Sequence, residues 1–437
     1  VILFILKKIG YNFLVLLGAI TFAFILFNFK PGNAARGIAG NNASEDIIET
    51  IEKKHNLDLP LWQQYALYIN DVLPFSLHNA DNSDSRIYLD DEKYNYTELV
   101  SFGSGRTLVF KWPYLRTSYQ NGKPVNEIIS DALPGTVVLA VVAMAFATFL
   151  GIILGILAAI WKGSFFDNGS LVLAVLGMSA PSYFMAIIVA WIGGYLWYEV
   201  TYIPLLPFIV LGIGLLIGTA LNKRLNKDPF GNFSTDFLFR TAFKFGSFGM
   251  IFWIIGYSLN AVLPDAPIPL IDSFINLPGT GLNNTGSLYE TDDLANEFLA
   301  LDNLILPAIT LGIRPLAIIL QLTRSSMLDV LSQDYMRTAR AKGLSNYRVV
   351  IRHGLKNALN PVVTAVSGWF ASLLAGAVFI EVIFSWKGLG LEMYNGIIKD
   401  DYPVILGCVI VVATTFVFIN VLVDIVYGII DPRIRLK

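Results

Sequence analysis

Residues 324–361, RSSMLDVLSQDYMRTARAKGLSNYRVVIRHGLKNALNP, lie between two long apolar segments and decide how the rest of the chain is understood. They gather Arg324, Arg337, Arg340, Lys342, Arg348, Arg352 and Lys356 against only Asp329 and Asp334, in a chain that is 55% hydrophobic. Met327, Val330, Leu331, Asp334, Tyr335, Thr338 and Ala339 recur at helical spacing, which predicts an amphipathic helix outside the membrane core. Gly343, just past the last basic turn, fits a left-handed C-terminal cap. Ser345 can accept a hydrogen bond from the first free amides of a second helix over 346–357. The expected product is helix, tight turn, helix. Two roles suit this composition equally: resting on anionic lipid headgroups, or docking on another protein.

Residue order separates them. The run Asp334-Tyr335-Met336-Arg337-Thr338-Ala339-Arg340-Ala341-Lys342-Gly343-Leu344-Ser345, with His353 and Asn357-Ala358-Leu359-Asn360-Pro361 behind it, resembles the cytoplasmic signature loop of binding-protein-dependent ABC import permeases. Within that superfamily it is similar to the dipeptide and oligopeptide branch, which also serves nickel and opines. The wider superfamily begins this loop with Glu-Ala-Ala and places a glycine four residues after the second alanine. Here Arg337-Thr338-Ala339 stands in that place with Gly343 at the same distance, so the glutamate's salt-bridge role has no carrier. The resemblance implies an ATPase-coupling loop over 324–360, with Asp334, Tyr335, Arg337, Thr338, Ala339, Arg340, Gly343 and Ser345 as its working residues. Ala339 and Gly343, four apart beside Tyr335 and Thr338, are expected to form a small-residue face for a groove on the ATPase.

The same resemblance implies the partners: a second related permease subunit, two cytoplasmic ATPase subunits and an extracytoplasmic solute-binding protein. It extends to both ends of the chain, through Pro31 to Arg36, Leu57 to Tyr65, Tyr114 to Tyr119, Gly376 to Gly390 and Leu422 to Arg435. ATP and Mg²⁺ belong to the partner subunits, and this chain is expected to hold no cofactor and to be no enzyme. It has no GxxxxGK[ST] phosphate loop.

Composition indicates a multi-pass membrane protein, and the resemblance implies the cytoplasmic (inner) membrane of a prokaryote. The 437 residues carry only 15% charged side chains, against about 25% in soluble domains. A net charge of −2 gives no basic footprint for nucleic acid. His55, His78 and His353 are too scattered for a histidine metal site, and Cys408, the single cysteine, sits in an apolar run as a packing residue.

The fold class expected is all-α, with about eight spans at 9–29, 136–161, 171–197, 204–221, 241–263, 304–323, 362–384 and 404–430. That is a six-helix permease core plus an inserted pair near 204–263. Residues 1–30 form the first span, 31–135 an extracytoplasmic region with an unfamiliar acidic and aromatic insertion near 75–111, and 136–437 the permease domain. Within the extracytoplasmic region a helix is expected from Glu45 to Leu57 with Ser44 as its cap. Within the permease domain the loop 264–303 carries seven carboxylates and no Lys or Arg, so it is placed outside. With the N-terminus inside, Lys7, Lys8, Lys223, Arg224, Lys227, Arg240, the signature loop, Arg433, Arg435 and Lys437 all fall on the cytoplasmic side, as the positive-inside rule asks.

Gly151 and Gly155 offer a close helix approach, and Ser179-Ala180-Pro181-Ser182 interrupts its span as a kink or a pathway element. Leu277-Pro278-Gly279-Thr280-Gly281 is a loop turn. Arg314, Glu381 and Asp424 lie at membrane depth, where each should face the bundle. Arg314 is expected to pair with one of the two carboxylates or to face a wet cavity. Together with Ser179, Pro181 and Ser182 they are the candidate polar or translocation residues. Rival functions are a secondary transporter or channel, which needs no ATPase, and a membrane scaffold, for which the glycine-hinged basic hairpin has no purpose.

Overall fold

The computed structural model describes residues 2–28, 35, 44–82, 85–91, 93–103, 105–225, 235–262, 268, 271, 273–292 and 294–430. They form two compact units, one of residues 1–140 and 370–437, the other of residues 141–369.

The first unit contains α1 (Ile2–Asn28), α2 (Glu45–Lys54) and α3 (Leu61–Val72), and three strands, β1 (Phe75–Asn79), β2 (Tyr96–Phe102) and β3 (Arg106–Lys111). Ser44 takes the extended conformation of an N-cap, as expected, and its carbonyl receives the amides of Ile47 and Ile48. The insertion near 75–111 is no plain loop. Its strands pair antiparallel in the order β1-β3-β2, and β3 alternates buried Thr107, Val109 and Lys111 with more exposed neighbours. This sheet and two two-stranded ones correct the all-α expectation: the chain is mostly helical, with small sheets outside its apolar helices.

Asp71, at the end of α3, ties the sheet down. Tyr94 Oη donates to its Oδ1 at 2.8 Å, Arg116 Nε to its Oδ2 at 3.1 Å, and the buried Lys111 Nζ to its main-chain oxygen at 3.0 Å. Lys111 also stands 4.1 Å over the Tyr94 ring. A buried ammonium survives here because a carbonyl, a carboxylate and an aromatic face surround it.

His78 on β1 is fully buried against Tyr94, with Ser76 Oγ 3.0 Å from Nε2. Burial, aided by the Lys111 charge, lowers its pKa from 6.5 to about 4. The unfolded chain therefore takes up this proton first, and stability rises with pH between about 4 and 6.5. At ~1.4 kcal/mol per pH unit the contribution reaches about 3 kcal/mol. Amide protection in β1 and β3 of the full chain, corrected for intrinsic exchange, should fall as pH drops across that window and stay level in His78→Phe. A flat profile in the wild type would rule out a buried neutral imidazole.

The unit also holds part of α4 (Val125–Ile160), then α12 (Val378–Ile383), α13 (Leu389–Ile398) and α14 (Tyr402–Ile430). Ile20, Phe24, Tyr68, Val72, Leu115, Val125, Ile129, Leu389, Val404 and Cys408 close into one core, so Cys408 packs as expected. Asp401 pins the segment around Ser118 to the start of α14, accepting from Ser118 Oγ at 2.5 Å and Tyr119 N at 3.0 Å.

The second unit is built on α9 (Asp302–Leu331). Before it come α5 (Phe165–Ser179), α6 (Ser182–Trp191) with its π-helical continuation Ile192–Leu196, then α7 (Leu205–Leu225) and α8 (Thr235–Val262). The glycine pair meets its expectation. A Cβ on Gly151 would lie 2.8 Å from Ile319, and one on Gly155 would lie 2.5 Å from Thr323, so α4 rests directly on α9. Ala174 of α5 packs against Ala317 and Leu320 from another side. The inserted pair is a close hairpin, with Gly214 against Phe245 and Gly249 against Val210.

Outside these helices, β4 (Thr201–Pro204) pairs with β5 (Phe274–Leu277), and β6 (Tyr289–Thr291) with β7 (Glu297–Leu299). The turn expected over 277–281 is corrected: Leu277 ends β5, and the residues after it run beside Trp197 and Tyr198, with Thr280 N donating to Trp197 O, Gly281 N to Tyr198 O, and Gly279 leaving no room for a side chain.

Among the described residues four helices are long and apolar enough to cross a membrane: Val125–Ile160, Arg240–Val262, Asp302–Leu331 and Tyr402–Val423. Phe165–Ser179 and Ser182–Leu196 make a fifth if taken as one span, but they meet at 113°. Pro181 explains the break. It cannot donate to the preceding turn and forces Ala180 into an extended conformation, φ −73°, ψ 133°. Gly10–Ile25 and Leu205–Leu221 are shorter apolar helices at two other expected spans. The stretch expected as a single span over 362–384 is divided, because α11 (Lys356–Gly376) stops one residue before α12 begins. The side chains of Lys7, Lys8, Lys223, Arg224, Lys227, Asp424, Arg433, Arg435 and Lys437 lie outside the described residues.

Candidate coupling loop and intramembrane polar residues

The loop begins where α9 ends. Gln333 takes the extended N-cap conformation, and α10 (Asp334–Ala341) follows with Asp334 in its first turn and Arg340 in its last, each favourable to the helix dipole. Gly343 then adopts φ +78°, as the cap requires, with its amide on Arg340 O at 2.9 Å. A Cβ there would meet nothing within 4 Å, so backbone conformation and not space asks for glycine. Val349 N donates to Ser345 O at 3.0 Å, so Ser345 starts the next helical turn through its main chain.

The second arm departs from the expected α-helix. Asn346–Arg348 make one α turn, Val349–Leu355 are π-helical, and α11 continues from Lys356. The wider π turn shifts the register, bringing Val349 and Gly354 under α10 while Ala358 still packs on Met327 of α9. The terminal carbons of Met336 and Met327 lie 3.4 and 3.5 Å from where a Gly354 Cβ would sit.

Met336, Ala339 and Val349 form the hairpin's own small core, with Leu331 and Leu344 at its margin. Ala339 is only 7% exposed, so the expected outward face of Ala339 and Gly343 is corrected: the alanine holds the two arms together. The outward face is aromatic and basic instead. Tyr335, Arg337, Thr338, Arg340, Lys342, Ser345, Tyr347, Arg348 and Arg352 are exposed, Tyr347 by 74%. Tyr335 Oη accepts from Asn357 Nδ2 at 2.9 Å, which braces α10 against the start of α11.

A second brace escaped sequence reasoning. Asp167, 1% exposed at the start of α5, receives a two-pronged ion pair from Arg324 of α9, through Nε to Oδ1 and Nη2 to Oδ2. Gly163 N also donates to Oδ2 at 2.8 Å, and Asp167 N donates to Ser164 Oγ at 3.2 Å. Ser164-x-x-Asp167 is a capping-box spacing, the one local signal for this site. Its partner is 157 positions away.

The intramembrane candidates separate. Glu381 is fully buried on α12 and accepts from Thr136 Oγ1 at 2.7 Å, Gly390 N at 2.7 Å and Leu391 N at 3.1 Å. A Cβ on Gly388 or Gly390 would lie 2.6 or 2.8 Å from its carboxylate, and Trp386 Nε1 donates to Gly135 O. Glu381 therefore anchors the Trp386-to-Leu391 turn, and its partners are amides and a hydroxyl. Arg314 makes no ion pair among the described residues, so of the two carboxylates expected as partners Glu381 is not one, and the side chain of Asp424 lies outside those residues. It is exposed on α9, with Cζ 5.7 Å from the Trp369 ring centroid. Ser179 and Pro181 are exposed and Ser182 half-buried at the α5–α6 break.

Two family descriptions match the sequence: "Binding-protein-dependent transport system inner membrane component" over residues 230–436, and the corresponding N-terminal component over residues 1–83. The chain is 32% identical to the dipeptide transport system permease protein DppB of Escherichia coli K12, with 99% of each chain covered. It is 31% identical to DppB of Alkalihalophilus pseudofirmus over 96% of each, and 29% identical to a di/tripeptide permease of Pseudomonas aeruginosa over 99% and 98%. The chain belongs to the binding-protein-dependent transport permeases. It is a multi-pass inner-membrane component of an ABC importer that works with a solute-binding protein and an ATPase.

Proposed function

We propose that this permease moves di- or oligopeptides inward, paired with a second related permease subunit and two ATPase subunits, and that residues 324–360 are its coupling loop. The observation that carries the coupling role is the self-packed hairpin, continuous with α9 on one side and α11 on the other. Closure of the ATPases against such a unit is passed to two apolar helices as a rigid-body shift. The exposed Tyr335 and Tyr347 supply apolar contact area, and the surrounding Arg and Lys side chains supply orientation. Full-length similarity to dipeptide permeases supports the cargo, and no feature favours nickel or opines. Eight spans with the N-terminus inside is the arrangement that agrees best with the charge pattern of the loops.

The test is co-expression with the second permease subunit, the ATPase subunits and a solute-binding protein, purification through a tag on this chain, and dipeptide uptake into proteoliposomes. Uptake is expected only with ATP, and the ATPase subunits should copurify. A chain that purifies alone and moves solute without ATP would instead be a secondary transporter.

A further inference from the structure

Arg314 sits near the middle of an apolar helix, exposed on the surface of this chain, with one aromatic ring as its described contact. A guanidinium at that depth does not face hydrocarbon at tolerable cost. The positions that follow it along the same side of α9 are Ile318, Gln321 and Ser325, none of them buried. The spacing is four, three and four residues, one continuous helical face. α11 runs alongside, since Met327 packs with Ala358 and Arg314 meets Trp369. Its uncovered side carries Asn357, Asn360, Thr364 and Gly368, again at spacings of three and four. Two neighbouring helices thus leave a polar seam uncovered, with a cation at its outer end. Lipid cannot satisfy such a surface, so water, cargo or another polar chain covers it.

We propose that Arg314, seated over Trp369, binds the C-terminal carboxylate of the translocated peptide at the head of this seam. The proposal rests on the peptide cargo argued above. A guanidinium held by a cation–π contact with an indole, as Arg314 is over Trp369, keeps its N–H edges free to grip a carboxylate with two parallel hydrogen bonds. The amides and hydroxyls below it suit the peptide's own polar groups and discriminate little between side chains. A carboxylate on the second permease subunit is the competing partner.

An outer binding protein can itself select carboxylates, so the test uses the assembled permease–ATPase complex without it. Gln321→Cys, in a Cys408→Ser background, should react with a charged methanethiosulfonate. A dipeptide should protect that thiol at a concentration at least about tenfold below that needed by its C-terminal amide, the size of a charge-assisted bidentate contact. Adding Arg314→Gln should erase the difference, and Arg314→Lys should keep part of it. An unreactive thiol would mean a seam closed to water and would overturn the proposal. Equal protection by both peptides, or a preference that persists in Arg314→Gln, would reject the carboxylate assignment and leave the cargo standing. Protection by neither peptide would reject the cargo and the assignment together.

Discussion

Replacing Ala339 by glutamate is expected to lower ATP-driven uptake at least about 100-fold and to strip the ATPase subunits from the purified complex, while the permease stays in the membrane. The side chain is 7% exposed and packs with Met336 and Val349 between the two arms of the hairpin. A carboxylate there has neither a cation nor a free donor within the core. Burying an unpaired charge costs several kcal/mol, about 3 or more, which exceeds what so small a core supplies. The hairpin then opens instead of tolerating the charge. Ala341→Glu, two positions away but exposed, should retain most uptake, which separates core disruption from a local charge effect. Copurification and limited proteolysis of residues 332–355 report the outcome. Near-normal uptake in Ala339→Glu would remove the case for this hairpin as the coupling element. If replacing Arg337, Arg340 and Lys342 by Gln were the more damaging change, lipid contact would be its main role.

The second large effect is expected at Asp167. Asp167→Ala leaves Arg324 facing a buried, empty site, and removal of one member of a buried pair costs about 3–5 kcal/mol. Arg324→Met alone strands the carboxylate, although Gly163 N still donates to it, so its loss should be somewhat smaller. The double variant should recover part of the stability, because neither charge is then left uncompensated. Thermal unfolding of the four proteins in one detergent gives the coupling energy, expected at about 2 kcal/mol or more. Additive losses would show that the two side chains do not depend on each other. Since Arg324 stands where α9 leaves its apolar stretch, loss of the brace should also lower uptake per ATP hydrolysed.

Much of this protein was legible in its residues because the forces concerned are local. The 3.6-residue recurrence of Asp334 through Ala339 names α10, although the one helix expected from Met327 is broken at Ser332-Gln333, where α9 ends; a glycine after a basic turn names its cap, and the small-residue spacing of Gly151 and Gly155 names a close helix approach. Each is a property of a few neighbouring positions, and each holds in the fold. The order of residues 334–345 carried the family as well, since a motif is itself a local pattern.

Tertiary structure decided what depends on partners far along the chain. Periodicity says that α10 has two faces, but only the arrival of Val349 and Gly354 on a π-helical turn makes Ala339 the inner one. Charge at membrane depth marks Glu381 and Arg314 alike. The amides of Gly390 and Leu391 satisfy one, while the other has, among the described residues, one aromatic ring beside it. The insertion hid its sheet because β2 lies exposed along almost its whole length, so its side chains show little of the alternation that betrays a half-buried strand. Composition therefore marks a membrane chain and the order of residues in its motifs marks the family, whereas the uses of its few buried charges follow from which polar groups the folded chain brings within hydrogen-bonding distance.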